Sequence, residues 1–408
     1  MTTKKILYVH YGDAWVRGSE RCLLDLLTHL DTDKYEPFVW TNNSMLIPHL
    51  EELRIPYQLD DFPILMGWNS PKVDVKSWIK LIGKGRQLIT EQQIDLVHVN
   101  SAAPCQWMAL AARYNRCPMI THLHSDYIGR DRMTLGLHLS PYIITASDAI
   151  SQNLKRDGFP AERLEVVHNG IDIERLEIQP QVDVKQRLKI GNDAVVFATV
   201  GSLIYRKGID RIMVALRHLL LEYPNSHLVV IGEGEERENL NALCQKLHLE
   251  QNVHFVGEQA NVVGWLKGCD AFVSGAREEA FGLVVTEAAI AKRTVIAPFE
   301  GGIPEIIHHG QTGLLYVNQG FGPIFDMMRC VHSHPQECQV IAESAYQHVK
   351  QHFSVLRYVA QIEALYSRLL TLEELEFPPL KDNLKPVKTA LAKRKAKRNN
   401  KGGDHASS

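Results

Sequence analysis

Two parallel, doubly wound α/β domains facing a cleft are the fold class this sequence predicts, on three observations. Apolar runs of strand length alternate with amphipathic helical runs over most of the 408 residues, the pattern of βαβ units whose sheets carry helices on both faces. Each half opens alike, with a strand, a glycine-containing loop and a helix: Ile6 to Val9 leads to Gly18, and Val195 to Val200 leads to Gly201 and Gly208. A polar stretch with few aromatics, Glu174 to Asn192, separates the halves. The expected domains are residues 1–175 and 193–352, with a linker at 176–192, a C-terminal helix at 353–370 and a basic tail at 371–408.

Composition narrows the class. A net charge of −2 gives no reason to expect a nucleic-acid partner. The seven cysteines are scattered and form no C-x-x-C pair, which favours free thiols in a reducing compartment over a disulfide framework or a zinc site. The N-terminus enters a strand at once, without a signal peptide. No apolar run approaches the ~20 residues that span a bilayer. A cytoplasmic protein is expected, peripheral on the inner face of the membrane if it meets one.

In chain order, Ile6 to Val9 is a buried strand, and Gly18-Ser19-Glu20 opens the amphipathic run RCLLDLLTHL. Strand–glycine–helix is the phosphate-cradling geometry of doubly wound folds, here without the G-x-G-x-x-G fingerprint. Asp31-Thr32-Asp33 mimics a metal motif but falls in a turn before the strand Pro37 to Thr41, where Asp and Thr serve the backbone. A helix starting at Ser70-Pro71 would carry Lys72, Lys76, Lys80 and Lys84 as one stripe. That stripe is either a solvated face or a cationic face for anionic lipid, worth ~1 kcal/mol per lysine. Gly83 and Gly85 weaken the end of this helix. Asp95 to Val99, Pro118 to Leu123, Tyr142 to Ala146 and Leu164 to His168 are further strands. Pro118 to Leu123 delivers His122 and His124 to its carboxyl end, where open α/β sheets bind ligands. A metal pair there lacks a third ligand, and one or both histidines can equally be packing residues. Asn169-Gly170-Ile171-Asp172 is a turn.

The second half repeats the pattern. After Val195 to Val200, the loop ends in Arg206-Lys207-Gly208, two cations between a strand and a helix that suit a diphosphate; a surface basic pair is the plain alternative. Next come strands at Leu228 to Ile231, His254 to Val256, Asp270 to Ser274, Thr294 to Ala297 and Leu314 to Val317. Gly301-Gly302-Ile303-Pro304-Glu305 is a loop entering a helix, and a helical pattern from Gln339 to Leu370 breaks near Phe353-Ser354. From Lys381 onward nine Lys or Arg face two Asp, with few large apolar residues, a marginally helical or disordered composition.

The stretch REEAFGLVVTEAAIA, Arg277 to Ala291, concentrates the chemistry. Gly282 permits a tight turn into a helix from Leu283 to Ala291. Glu287 is the only charge from Phe281 to Ala291, and burying a lone carboxylate costs several kcal/mol without a partner. Either it reaches water or a structural Arg, or it accepts hydrogen bonds from a ligand's hydroxyls while the helix N-terminus meets an anion.

With these pieces in order, the chain from about Lys4 to Leu370 resembles the retaining glycosyltransferases of family 4, which have the two-domain GT-B fold. Glu279-Ala280-Phe281-Gly282 with Glu287 resembles the family's E-G-F-G and E-x7-E pattern. Gly301 to Glu305, Asn169 to Asp172 and Val200 to Arg211 match in the same order. The resemblance implies that the C-terminal helix packs back toward the N-terminal domain. It implies that Arg206 and Lys207 clamp a donor diphosphate, Glu287 takes the ribose hydroxyls, and amides at Phe281, Gly282 and Leu283 face phosphate or sugar. Glu279 would bind hydroxyls of the transferred sugar, with His124 near the same sugar and the acceptor. Gly18 would approach the diphosphate, and Gly257 would follow the strand that meets the base. Four departures stand out. Arg17 replaces the first of two glycines, Ser202 replaces an Arg, Ala280 replaces a glycine, which requires a negative φ, and Lys292 and Thr294 stand where Gly and Pro are usual. The GS…RKG loop resembles the lipopolysaccharide-core transferases.

The resemblance also implies the reaction. A sugar would move from a nucleotide-diphosphate donor to an acceptor hydroxyl with retention, by a front-face reaction needing no metal or other cofactor. The expected setting is bacterial lipopolysaccharide core, capsule or exopolysaccharide synthesis, with a glycan or glycolipid acceptor. A nucleotide-sugar epimerase of the same fold and a catalytically silent sugar-nucleotide-binding subunit are the alternatives.

Overall fold

The computed structural model describes residues 3–66, 73–371 and 377. The chain divides into two compact units, the first running to His168 and resuming at Tyr358, the second Asn169–Arg357. Unit 1 has seven parallel strands, β1 (Lys4–His10), β2 (Tyr35–Thr41), β3 (Tyr57–Leu59), β4 (Leu96–Val99), β5 (Met119–Leu123), β6 (Ile143–Thr145) and β7 (Leu164–Val166), in the spatial order 3-2-1-4-5-6-7. Unit 2 has six parallel strands, β8 (Val195–Val200), β9 (Ser226–Ile231), β10 (Val253–Gly257), β11 (Ala271–Val273), β12 (Thr294–Pro298) and β13 (Leu314–Tyr316), in the order 10-9-8-11-12-13. Both sheets are Rossmann-like, and each reverses its winding once, at β1/β4 and at β8/β11. Strands covered on both faces read as nearly continuous apolar runs, which is why Ile6 to Val9 and Val196 to Ala198 are fully buried.

The register places the reversal in each unit. Val9 of β1 lies opposite Trp40 of β2 and Val99 of β4. In unit 2, Phe197 of β8 lies opposite Leu228 of β9 and Ala271 of β11. One face of the second sheet is closed by Ile212, Leu216 and Leu219 of the helix Ile209–Leu219 with Met328 of the helix Gly322–Ser333.

Several expectations are corrected. Strand β3 has no counterpart among the expected strands: its sequence, YQL, has no apolar run, and Leu59 is exposed. The lysine helix spans Val75–Glu91 and is capped by Asp74, which accepts from the Ser77 amide; the expected start at Ser70-Pro71, and Lys72 itself, lie outside the described residues. Residues 176–192 are not a free linker. Asp172 and Asp183 cap the short helices Ile173–Glu177 and Val184–Leu188, the Val182 amide donates to the Gly264 carbonyl, and the Lys267 ammonium donates to the carbonyls of Glu177 and Gln179. The segment therefore counts with unit 2, and the contact division falls after His168 instead of near 175. The break near Phe353 separates the helices Pro335–His352 and Val355–Thr371. From Tyr358 the last helix belongs to unit 1, where the buried Tyr366 hydroxyl meets His98 Nδ1 and donates to the Tyr8 hydroxyl. The basic tail lies outside the described residues apart from Thr371 and Phe377. Among the described residues, no helix is long and apolar enough to cross a membrane, and all seven cysteines are free.

At the reversal in unit 2 the two flanking loops touch backbone to backbone. A Cβ on Gly208, whose φ is +61°, would lie 1.9 Å from the Gly275 carbonyl oxygen, and one on Gly275 would lie 2.2 Å from that of Gly208. Neither backbone can yield to a side chain. Gly275→Ala is therefore expected to lower unfolding stability by about 1–3 kcal/mol, read by urea denaturation followed through tryptophan fluorescence; a change within error would show that the two loops separate without cost.

Candidate active site

The loop after β8 and the loop after β11 form one body at the carboxyl ends of the unit 2 strands. The Arg277 amide donates to the Arg206 carbonyl (2.8 Å), and the Arg277 guanidinium donates to the Tyr205 carbonyl (2.7 Å). Arg277 also makes two hydrogen bonds to Asp210, at 2.9 and 2.6 Å, and lies over the Tyr205 ring at 4.0 Å. Such a bidentate, stacked arginine is geometrically rigid. Nearby, the buried Arg211 donates to the carbonyls of Gly275 and Gly320 and to Asn318 Oδ1. No role for Arg277 or Arg211 is apparent from sequence. Both are positive charges that hold loops and leave Arg206 and Lys207 as the adjacent cations.

Those two cations meet Glu279. Lys207 Nζ donates to Glu279 Oε2 at 2.6 Å; Arg206 donates to the Glu278 carbonyl at 3.0 Å and stands 3.9 Å from Glu279 Oε1. The Lys207 and Glu279 side chains are 19% and 14% exposed, whereas that of Arg206 is 42% exposed. Burial pushes the Glu279 carboxyl pKa up, but the charge of Lys207, its hydrogen bond and the charge of Arg206 outweigh burial and hold the pKa below its ordinary value. Glu279 is thus ionised at neutral pH. The trio carries one net positive charge, which favours an anion beside it.

Glu279 is held from behind by the glycine run. Gly301, at φ +55°, passes so close that a Cβ would stand 1.6 Å from the Glu279 carbonyl oxygen, and the Gly302 amide donates to that oxygen at 3.2 Å. Ahead of Glu279 the chain turns at Gly282 (φ +109°) into the helix Leu283–Ile290. Ala280 has no positive φ, so the replacement of glycine is tolerated there. Phe281 is buried, with its ring 6.0 Å from that of Phe353, so this residue can meet a ligand only through its backbone. The first-turn amides of such a helix point out of its N-terminal end and carry the positive end of the dipole. Glu287, one turn after Leu283, is half-buried. Gly257 ends β10 at φ +72°, its carbonyl accepting from the Gly232 amide.

Other motif residues turn out to be structural. Asp172 is a helix cap, and Ile171 exchanges backbone hydrogen bonds with Phe353 and Val355. Lys292 adopts φ +56°, a conformation in which glycine is unstrained, and forms an ion pair with Glu343 at 3.0 Å. Asp31 pairs with Lys34 and accepts from the Asp33 amide. Among the described residues, no group of three or more His, Cys, Asp or Glu is placed to hold a metal.

In unit 1, His124 lies just past β5, half-buried, with Nε2 3.1 Å from Asn100 Oδ1. His122 is fully buried and neutral, its ring centroid 4.1 Å from that of His124; it is the packing member of the pair. Gly18 is exposed at the start of the helix Gly18–His29, and the Arg17 guanidinium lies 4.2 Å over the Trp15 ring. On the lysine helix, Lys76 and Lys80 are exposed and Lys84 partly so, with Val75 and Ile79 exposed beside them.

Comparison with known proteins agrees with this geometry. A family model described as Glycosyltransferase Family 4 matches residues 16–175, and one described as Glycosyl transferases group 1 matches 181–348. The chain belongs to the family 4 glycosyltransferases. It is 24% identical over 303 residues to N-acetyl-alpha-D-glucosaminyl L-malate synthase of Bacillus anthracis, covering 72% of this chain and 79% of that one. Crystalline HepE of Anabaena, in complex with UDP and glucose, superposes with a TM-score of 0.76 at 24% identity, covering 89% of this chain and 99% of that one. WaaG, a glycosyltransferase involved in lipopolysaccharide biosynthesis, gives 0.68 at 18% identity over 88% and 99%. These likenesses identify the fold as GT-B and the chain as a glycosyltransferase.

The ion pair makes a titration prediction. In Lys207→Met, Glu279 keeps its burial but loses its principal counter-charge, so its carboxyl pKa should rise, measured by ¹³C NMR of labelled glutamate. In the wild type the pair's stabilisation is full above the unfolded carboxylate pKa and is lost as pH falls through the lower folded value. In the variant, acid should no longer carry that penalty. An unmoved pKa would mean that Lys207 does not govern this carboxylate.

Proposed function

We propose that this glycosyltransferase moves a sugar from a nucleoside-diphosphate donor to an acceptor hydroxyl with retention at the anomeric carbon, without a metal. The observation carrying this reading is the Lys207–Glu279 ion pair with Arg206 beside it, at the mouth of the helix Leu283–Ile290. In this reading, Arg206 and Lys207 meet the diphosphate, whose negative charge grows as the glycosidic bond to phosphate breaks. Fixed cations and helix amides aimed at that charge lower the barrier without reorganising during the reaction. A phosphate oxygen at Lys207 competes with Glu279 for the ammonium, releasing carboxylate lone pairs to hydroxyls of the transferred sugar. Glu287 takes the ribose hydroxyls, and Gly257 lies by the base. His124 serves the transferred sugar and the acceptor. The donor phosphate accepts the acceptor's proton, so no separate carboxylate base is required.

The proposed setting is synthesis of a bacterial envelope polysaccharide, supported by the GS…RKG loop at Gly201 to Gly208. Work at the cytoplasmic face of the membrane is supported by the free thiols and by Lys76, Lys80 and Lys84 alongside exposed Val75 and Ile79.

A thermal-shift screen of UDP-glucose, UDP-N-acetylglucosamine and GDP-mannose tests the donor, since a ligand at 100 times its dissociation constant adds ~2.7 kcal/mol. With the donor so found, Glu279→Gln should depress kcat about 10- to 100-fold with little change in donor KM. Glu287→Gln should raise donor KM by a similar factor, the scale of hydrogen bonds to charged groups. Proton NMR of the product's anomeric centre reads retention. Donor epimer appearing without sugar transfer would replace the transferase reading by an epimerase, and binding without turnover would leave a silent binding subunit.

Sedimentation with phosphatidylglycerol vesicles tests the membrane arm. Binding should be strong at low ionic strength, weaken in ~1 M salt where the Debye length is ~3 Å, and fall in the double variant Lys76→Glu, Lys80→Glu. Salt-independent or absent binding removes the electrostatic interaction.

A further inference from the structure

A chain of buried polar groups runs from the first helix of unit 1 to His124. Glu20 is 3% exposed, and His10 and Asn100 are fully buried. Glu20 accepts from Ser19 Oγ and from the Arg17 amide through Oε2, both at 3.2 Å, and its Oε1 lies 3.0 Å from His10 Nε2. Although burial raises the Glu20 pKa, its hydrogen bond to His10 and the charge of that ring bring the net value below ordinary, so it is a carboxylate. A carboxylate only accepts, so His10 Nε2 carries a proton. Asn100 comes next. Its Nδ2 stands 3.2 Å from the Ser19 carbonyl oxygen and 3.1 Å from His10 Nδ1, while its Oδ1 stands 3.1 Å from His124 Nε2.

The direction of the amide is set by chemistry, since an Asn oxygen and nitrogen are otherwise assigned from their partners. The Ser19 carbonyl can only accept, so the Asn100 nitrogen must face it, while His10 Nδ1 lies between that nitrogen (3.1 Å) and the Asn100 backbone carbonyl (3.3 Å). The amide oxygen is thereby turned to His124, and an amide oxygen cannot donate. His124 Nε2 must supply the proton. We propose that Asn100 is a positioning residue that, oriented by the Ser19 carbonyl, holds His124 with Nε2 protonated and engaged. His122 at 4.1 Å and His98 beyond it, both fully buried and neutral, support the ring without competing for its proton. The network also accounts for Gly12, where a Cβ would fall 2.6 Å from Glu20 Oε1 and 2.8 Å from His10 Nε2.

The inference rests on the assignment of His124 to the sugar site, but its test needs no donor. The full chain labelled with ¹⁵N-histidine is observed by one-bond and long-range ¹H–¹⁵N correlation at about pH 8, above the free imidazole range. The His124 signals are identified by their loss in His124→Gln. A directly bonded Nε2–H proton, protected from exchange, is expected in the wild type and in Asn100→Asp, which keeps an acceptor oxygen, and is expected to be lost in Asn100→Ala. Thermal melts of the variants show which remain folded, and the wild-type spectrum decides even if neither does. A His124 proton on Nδ1, no protected Nε2–H, or an unchanged signal in folded Asn100→Ala overturns the inference. Failure of sugar transfer in a protein with the expected spectrum would overturn the donor reading alone.

Discussion

The contact between the Gly208 and Gly275 backbones is the constraint on which the unit 2 site depends. It brings the loops after β8 and β11 within hydrogen-bonding reach, and Arg277 and Arg211 then tie them together. Only in that arrangement do residues 72 positions apart, Lys207 and Glu279, form one ion pair. A doubly wound sheet creates the opening by sending successive strands to opposite sides. The two glycines determine how closely its walls approach.

On the proposed reading the ion pair serves an anion site, where a cation waiting for a diphosphate would otherwise be mobile or would search for other partners. Glu279 holds Lys207 in a defined place, while the pair's partial exposure leaves it exchangeable. A fully buried pair would be harder to open, and a fully exposed one would be screened. Glu279 is itself pinned through its carbonyl by the glycine run, so the carboxylate has a fixed base from which to trade one partner for another.

Much of this organisation is legible in the sequence. Parallel strands covered on both faces must be apolar throughout, so Val195 to Val200 and Thr294 to Ala297 declare themselves. The turn at Gly282 and the helix after it are legible because glycine permits the positive φ from which that helix starts. Strand β3 is hidden because a three-residue edge strand with polar Gln58 has no pattern to show. The helix start at Asp74 does carry a signal, an Asp three residues before a Ser, which the Ser-Pro pair upstream obscures. Asp172 and Asp183 likewise announce short helices inside what composition alone suggests is a linker. Arg277 and Asn100 act through partners distant along the chain, Asp210 and His124, and only tertiary structure reveals such pairings.

The last helix has a consequence for biosynthesis. Unit 2 is continuous, but unit 1 is completed only by residues from Tyr358 onward, which supply buried Tyr358, Ile362 and Tyr366 to its core. At about 5–20 residues per second, a ribosome needs on the order of 10–40 s to make unit 2 between these two parts. During that interval the first 168 residues lack the Tyr366 hydroxyl that meets Tyr8 and His98. The nascent chain must therefore remain competent to receive its own final segment, and its order of folding runs against its order of synthesis: the domain made first is finished last.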